Sequence, residues 1–414
     1  MKDRLIFETV RLPNGITVYS YPTDVPFVDA RIIIPLGSAH NVAPIRQGSF
    51  HFLEHMVLNR SKMNPELDSF SKIIGQSGGR IGGSTYPFKT VYDVEVKHDL
   101  FENAFGGLVS QVFEPIFTKE DIENEIGVIK NERRRKERFF PGNNKLGKYL
   151  LTEWMNDPLC PMTQRLGSDA DLEAMNLSDM LKVHEYYFND QICVFVGGKF
   201  EIDSVCKKLS KIETRKIILP EDCSKISWKK REYHESKFDD VNRYTYYFGG
   251  LNESVNDLRE TSAIRFILNL LVNHIQGSLY NWLRNEKGWV YEIGYLCHLE
   301  KNGSYWKIFF PVNNEEQVKI IRDELHSKIV DTLKNSDLVE KEINRLRSKS
   351  VFFYQTLDQV LNEGISFHDD YGKIFTELEY LSIMESFADT DYLMKIYEKH
   401  MSPGVTGEFL AIPE

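Results

Sequence analysis

Residues 46–60 read RQGSFHFLEHMVLNR. At 3.6 residues per turn, His51 and His55 fall one turn apart on one face of a helix, and Glu54 flanks that face. Two imidazoles so spaced aim their nitrogens at one point, as zinc requires. A carboxylate beside a metal's water takes its proton and hands it to a leaving amine. Phe50, Leu53 and Val57 lie on the opposite face and read as core, which leaves the polar face to line a cleft. The competing reading is an ordinary helix that happens to carry two histidines. A third ligand from another element would decide between them, because a catalytic zinc takes three protein groups and a water.

Glu125 and Glu132 are the acidic candidates. They are seven residues apart in a helical stretch and so nearly eclipsed over two turns. From the residues alone either could face the ion, or both could belong to a solvated acidic stripe.

Working outward, Leu12-Pro13-Asn14-Gly15 carries an Asn-Gly turn signal between alternating segments and predicts a hairpin or meander, with strands at 16–19 and 30–34. Helices are predicted over 47–58 and 65–76. The pairs Gly78-Gly79 and Gly82-Gly83 predict a turn into a strand ending at 90–96. Further helices are predicted over 100–112 and 119–138, and a buried strand over 192–198. Residues 214–236 lose the apolar period and gather Pro, Asp, Lys and Ser, so they read as a connection. The same grammar then repeats: helices over 261–275 and 278–285, two strands joined at Lys301-Asn302-Gly303, and a long helix from Asn314. The expected fold class is α+β, with two homologous domains, each a mainly antiparallel sheet packed with helices. The expected boundaries are 1–213, a linker at 214–236, and 237–414.

The chain of 414 residues, 42% hydrophobic and 27% charged, has the composition of a folded protein. Its formal charge of −10 argues against a nucleic-acid partner. No run of about 18 apolar residues predicts a membrane span, and the opening MKDRLIFETVRLPNG lacks the apolar core of a signal sequence. A cytoplasmic location is therefore expected. Cys160, Cys193, Cys206, Cys223 and Cys297 are odd in number and form no C-x-x-C pair, which fits reduced thiols. The run Arg133-Arg134-Arg135-Lys136-Glu137-Arg138 reads as a solvated helix end set against the negative end of the dipole.

H-x-x-E-H is the inverted form of the H-E-x-x-H zinc motif. With Glu125 and Glu132 lying 70 and 77 residues beyond His55, it resembles the insulinase- or pitrilysin-type (M16) metallopeptidases over almost the whole chain. Leu12 to Val18 is similar to that family's opening strand, and Gly78 to Tyr92 to its glycine-rich edge strand. The resemblance implies one Zn2+ per chain, held by His51, His55 and Glu132. It implies Glu54 as the general base and Glu125 as an outer carboxylate needed for activity. Arg284 and Tyr291 match the family's arginine–tyrosine element in the second domain, which contacts the substrate backbone and steadies charge on the scissile carbonyl. The length resembles the two-domain branch that includes the mitochondrial processing peptidase, whose half-size chains close in pairs around a chamber.

The chain departs from the pattern at Gly82-Gly83, where relatives carry Asn-Ala, and at Phe88, where a polar residue is usual. The main-chain groups of Gly83, Ser84 and Thr85 remain available to pair with an extended peptide substrate. A homodimer, or a heterodimer with another chain of the same type, is expected. The function that follows is a zinc metalloendopeptidase acting within a closed chamber. The alternatives are a catalytic subunit of a hetero-oligomer that processes one precursor peptide, and a non-catalytic scaffold of the same fold.

Overall fold

The computed structural model describes residues 4–139, 146, 149–150, 165–220, 233–252, 257–273, 277–300 and 303–414. In the N-terminal half six strands form one sheet: β1 (Glu8–Arg11), β2 (Thr17–Pro22), β3 (Phe27–Ile34), β4 (Arg80–Thr85), β5 (Thr90–Lys97) and β6 (Cys193–Gly198). Their order is β1-β2-β6-β3-β5-β4. The β1–β2 hairpin forms as the Asn-Gly signal predicts, but β6 inserts between β2 and β3, so no meander follows.

The second sheet contains β7 (Tyr233–Phe238), β8 (Tyr244–Asn252), β9 (Gly294–Glu300), β10 (Gly303–Val312) and β11 (Thr406–Pro413), in the order β7-β11-β8-β10-β9. Strand by strand this repeats β2-β6-β3-β5-β4. In each sheet the first two of these strands run parallel and the rest are antiparallel. The fold is thus α+β, built from two copies of one topology.

Helices α1 (Ser49–Asn59), α2 (Ser69–Gln76), α3 (Phe101–Phe113) and α4 (Lys119–Phe139) belong to the first unit. In the second, α5 (Leu258–Val272) follows β8 as α1 follows β3; α6 (Glu315–Leu333), α7 (Ser336–Phe353) and α8 (Leu357–Tyr371) come after β10. Each unit encloses its own apolar core between sheet and helices.

The halves are tied by an exchange. Leu357, Leu361 and Ile365 of α8 lie on the far face of the first sheet, where Gly197 has no Cβ to hold Leu361 away. Arg31 on β3 is buried and pairs with Asp358 of α8 at 2.7 Å and with Asp29 at 2.6 Å. In return, Leu146, Tyr149 and Leu150 pack on Phe238, Tyr247 and Phe409 of the second sheet. Each unit covers the back of the other's sheet, so neither buries its apolar surface alone.

Three local expectations need correction. Gly82-Gly83 do not bracket a turn; they sit inside β4, and the turn into β5 falls at 86–89. The second helix starts at Ser69, because Asp68 takes a left-handed conformation (φ 56°) that interrupts it. The segment read as a helix over 278–285 is a short α-turn followed by a wider π-type turn at Asn281–Glu286. Of the expected connection at 214–236, residues 221–232 lie outside the described residues, as do Lys301 and Asn302, and its last four residues, 233–236, belong instead to β7 of the second sheet. Cys193, Cys206 and Cys297 form no disulfide; Cys160 and Cys223 lie outside the described residues. Among the described residues no helix is long and apolar enough to cross a membrane.

Candidate metal centre

Helix α1 begins at Gly48, whose φ of 80° suits a residue without a side chain; a Cβ there would stand 2.8 Å from the carbonyl oxygen of Leu166. From this start the helix runs through the core. Phe50, Phe52, Leu53, Met56 and Val57 are fully buried, each contributing about 1.5–3 kcal/mol if an ordinary large apolar side chain. The polar side is more enclosed than an amphipathic reading predicts. His51 is 2% exposed and Glu54 6%. Helices pack around α1 on the side away from the sheet, so the opening is confined to His55 and Glu132, whose side chains are 23% and 22% exposed.

Three ligand-bearing groups converge here. Nε2 of His51 and Nε2 of His55 each lie 3.5 Å from the same oxygen, Oε2 of Glu132 on α4. A tetrahedral ion with bonds of about 2.1 Å needs ligand atoms about 3.4 Å apart, so the group fits zinc with little adjustment. Among the described residues this is the one cluster of three potential ligands whose atoms all lie within 4.8 Å of one another.

The two glutamates meet different nitrogens. Glu132 faces the two Nε2 atoms. Glu125 lies on the other side of the ring, with Oε1 2.8 Å from Nδ1 of His55 and Oε2 accepting from Asn59 Nδ2 at 3.4 Å. A carboxylate on Nδ1 fixes the proton there and leaves the Nε2 lone pair for a metal. Burial by itself pushes the His55 pKa down, but the hydrogen bonds to Glu125 and Glu132 outweigh it and raise it to about 10.

Glu54 lies between this trio and β4. Thr85, itself fully buried, donates its hydroxyl to Glu54 Oε2 at 2.9 Å. Oε1 lies against Gly83, where an added Cβ would come within 2.8 Å of it. Burial pushes the Glu54 carboxyl up; nearby His55 and the Thr85 hydroxyl pull it back toward the ionised form. The Thr85 contact was absent from the sequence reading, which assigned only main-chain roles to residues 83–85. A Thr two residues beyond a glycine that makes room for the carboxylate is a signal visible only once α1 and β4 are known to be neighbours.

Gly83, Ser84 and Thr85 lie on β4, which is paired with β5 on one side and forms the edge of the sheet. Phe88 packs edge-on to the buried His40 at 6.3 Å. Arg284 and Tyr291 are brought to each other: the guanidinium carbon lies 4.7 Å from the centre of the Tyr291 ring, and Nη1 donates to the Val290 carbonyl at 3.2 Å. Tyr291 is 71% exposed. Among the described residues, no hydrogen bond or ion pair links either of them to the His51–His55–Glu132 group.

Comparison with known proteins accords with this geometry. Residues 17–144 match the family described as insulinase (peptidase family M16), and residues 175–350 match the peptidase M16 inactive domain. Protease 3 of Escherichia coli is 33% identical over 133 residues, a stretch that makes up 32% of this chain and 14% of that protein. Human insulin-degrading enzyme is 24% identical over 235 residues, 53% of this chain and 22% of its own length. The chain therefore aligns with only a minor part of these longer relatives. A protease from Helicobacter pylori has the same fold over 99% of both chains, at a TM-score of 0.79 and 17% identity. The periplasmic protease PqqL from Escherichia coli covers the whole chain with 48% of its own, at a TM-score of 0.80 and 14% identity. With both of its halves matched, this chain belongs to the M16 (insulinase) peptidase family.

Proposed function

We propose that the protein is a zinc-dependent endopeptidase whose ion is held by His51, His55 and Glu132. The observation that carries this is the pair of 3.5 Å spacings from two imidazole nitrogens to one carboxylate oxygen, backed by Glu125 on the far side of His55. Zinc in that position supplies Lewis-acid polarisation of the scissile carbonyl and of the attacking water. The residues of the chain do the rest. An extended peptide adds to the open edge of β4 through the main chain of Gly83, Ser84 and Thr85. Glu54, steadied by Thr85, accepts one proton from the water as its oxygen bonds to the carbonyl carbon. It then delivers that proton to the amine nitrogen as the C–N bond breaks. The test is digestion of a mixed library of unstructured peptides read by mass spectrometry. Zinc-loaded wild type should cleave, and Glu54→Gln and chelator-treated protein should not. Silence from the zinc-loaded wild type would contradict the proposal.

Arg284 and Tyr291 complete the site from a second copy of the chain. This reading is favoured by their pairing with each other, away from the metal group of their own chain. It predicts that Glu54→Gln and Arg284→Ala, each inactive alone, recover about a quarter of wild-type activity when mixed, since half the dimers then hold one intact site of two. No recovery after verified subunit exchange would place the pair and the zinc group in the same chain's site.

A further inference from the structure

The duplicated topology gives the metal centre a counterpart in the second half. His51 stands 17 residues beyond the end of β3, and Asn269 stands 17 beyond the end of β8. Asn273 follows Asn269 by the same four residues that separate His55 from His51, although it lies just past the end of α5 while His55 lies within α1. Glu125 is the seventh residue of α4, and Glu342 the seventh of α7. At this place lies a cleft of about 720 Å³, lined among others by Asn269, Asn273, Asn281, Lys341, Glu342 and Arg345. Its volume falls in the range of small-ligand sites.

The hydrogen bonding inside the cleft is lopsided. Asn269 Oδ1 accepts from the Tyr295 hydroxyl at 3.1 Å, and Asn281 Oδ1 from Asn285 at 2.6 Å. Both oxygens of Glu342 are taken by Arg345, at 2.7 and 2.5 Å. The acceptors are thus mostly engaged from within. The groups left without a hydrogen-bond partner among the described residues are Lys341 Nζ, Arg345 Nη1 and the side-chain amide nitrogens of Asn273, Asn281 and Asn344, with Asn273 Oδ1 the one side-chain carbonyl beside them. With Glu342 neutralised by Arg345, Lys341 gives the cleft a net positive charge, which disfavours a cation. A group that only accepts hydrogen bonds and carries one negative charge complements such a lining, and a carboxylate is that group.

We infer that this second-half cleft is a subsite for a carboxylate of the peptide substrate, at its C-terminus or on an acidic side chain. For the class of ligand the inference rests on the peptidase reading. Asn281 and Arg284 share one turn, so a peptide anchored there lies beside the Arg284–Tyr291 pair.

The test is calorimetric binding to the zinc-loaded full chain carrying Glu54→Gln. The peptides are an unstructured sequence without Asp or Glu, made with a free C-terminal carboxylate or a C-terminal amide, and the amide form with one internal Glu. At least one carboxylate-bearing peptide should bind about tenfold more tightly than the plain amide. If it is the free acid, the C-terminus is the source; if the internal Glu, a side chain is. Adding Lys341→Glu, an exposed position, should abolish the difference while leaving the melting temperature unchanged. Equal binding of all three peptides, or a preference that survives Lys341→Glu together with Asn281→Asp, would overturn the inference. Library cleavage without this preference would sink the cleft alone, and the preference without cleavage would sink the peptidase reading alone.

Discussion

The two halves of this chain present the same sheet order, the same helix following the third strand of the repeat, and the same second helix bringing an acidic residue at its seventh position. At the place of the His51–His55–Glu132 group their side chains differ. Where the first half has His51, His55 and Glu132, the second has Asn269 and Asn273 at the same count from the preceding strand and Lys349 at the same place in its later helix. An imidazole offers a lone pair that zinc accepts, whereas a carboxamide is a weak donor to it and a lysine brings positive charge. The carboxylate common to both, Glu125 and Glu342, turns to different partners: His55 in one half, Arg345 in the other. One topology thus carries a His-His-Glu group in one copy and a donor-lined cleft in the other, so chemistry here resides in the side chains and not in the fold.

Graded substitutions in the two halves test this difference. The largest effect is expected at Glu54, where Gln should lower kcat by about 10²–10⁴-fold with zinc content unchanged, measured by peptide turnover and elemental analysis. Next, Glu125→Gln removes the carboxylate behind His55 and should weaken zinc affinity about 10–100-fold in a competition titration. Its counterpart Glu342→Gln should leave that affinity where it was; an equal loss would show that the effect is general destabilisation. Thr85→Val should lower kcat about tenfold at unchanged KM, through loss of a hydrogen bond to a charged group. Thr85→Ser should restore it, and failure of the serine to rescue would remove the hydroxyl from the account.

The smallest expected effect is a proton count. The pKa of His55 is raised to about 10 by its two carboxylates, above the roughly 6.5 of an unfolded chain. Its pairing therefore stabilises the metal-free fold fully below about pH 6.5, and that contribution is lost as pH rises toward about 10. Zinc must displace this proton, so affinity should climb with pH across the window and binding at neutral pH should release about one proton. Calorimetry in two buffers of different ionisation enthalpy reads the number, and release of none would exclude a protonated His55.

The closeness of His51, Glu54 and His55 was legible in the sequence because helical spacing is a local property. His51, Glu54 and His55 are fixed relative to one another by one turn of α1. The choice between Glu125 and Glu132 was not legible from spacing, since both face the same way and only the approach of α4 to α1 assigns one to Nε2 and the other to Nδ1. The Thr85 contact was hidden for the same reason: α1 and β4 meet through the tertiary fold. Gly82-Gly83 were misread as a turn because glycine signals a bend, whereas at Gly83 it makes room for the Glu54 carboxylate. The insertion of β6 between β2 and β3 depends on a strand some 160 residues away, which no local pattern announces.

The proposed zinc site uses His51, His55 and Glu132 of the first half, and among the described residues the second half has no such group. Zinc per chain, measured after saturation and exhaustive dialysis of wild type and Glu132→Gln side by side, tests it most directly. One ion per wild-type chain and almost none in the variant are expected. Zinc absent from the wild type, or a full ion retained when Glu132 is changed, would contradict it.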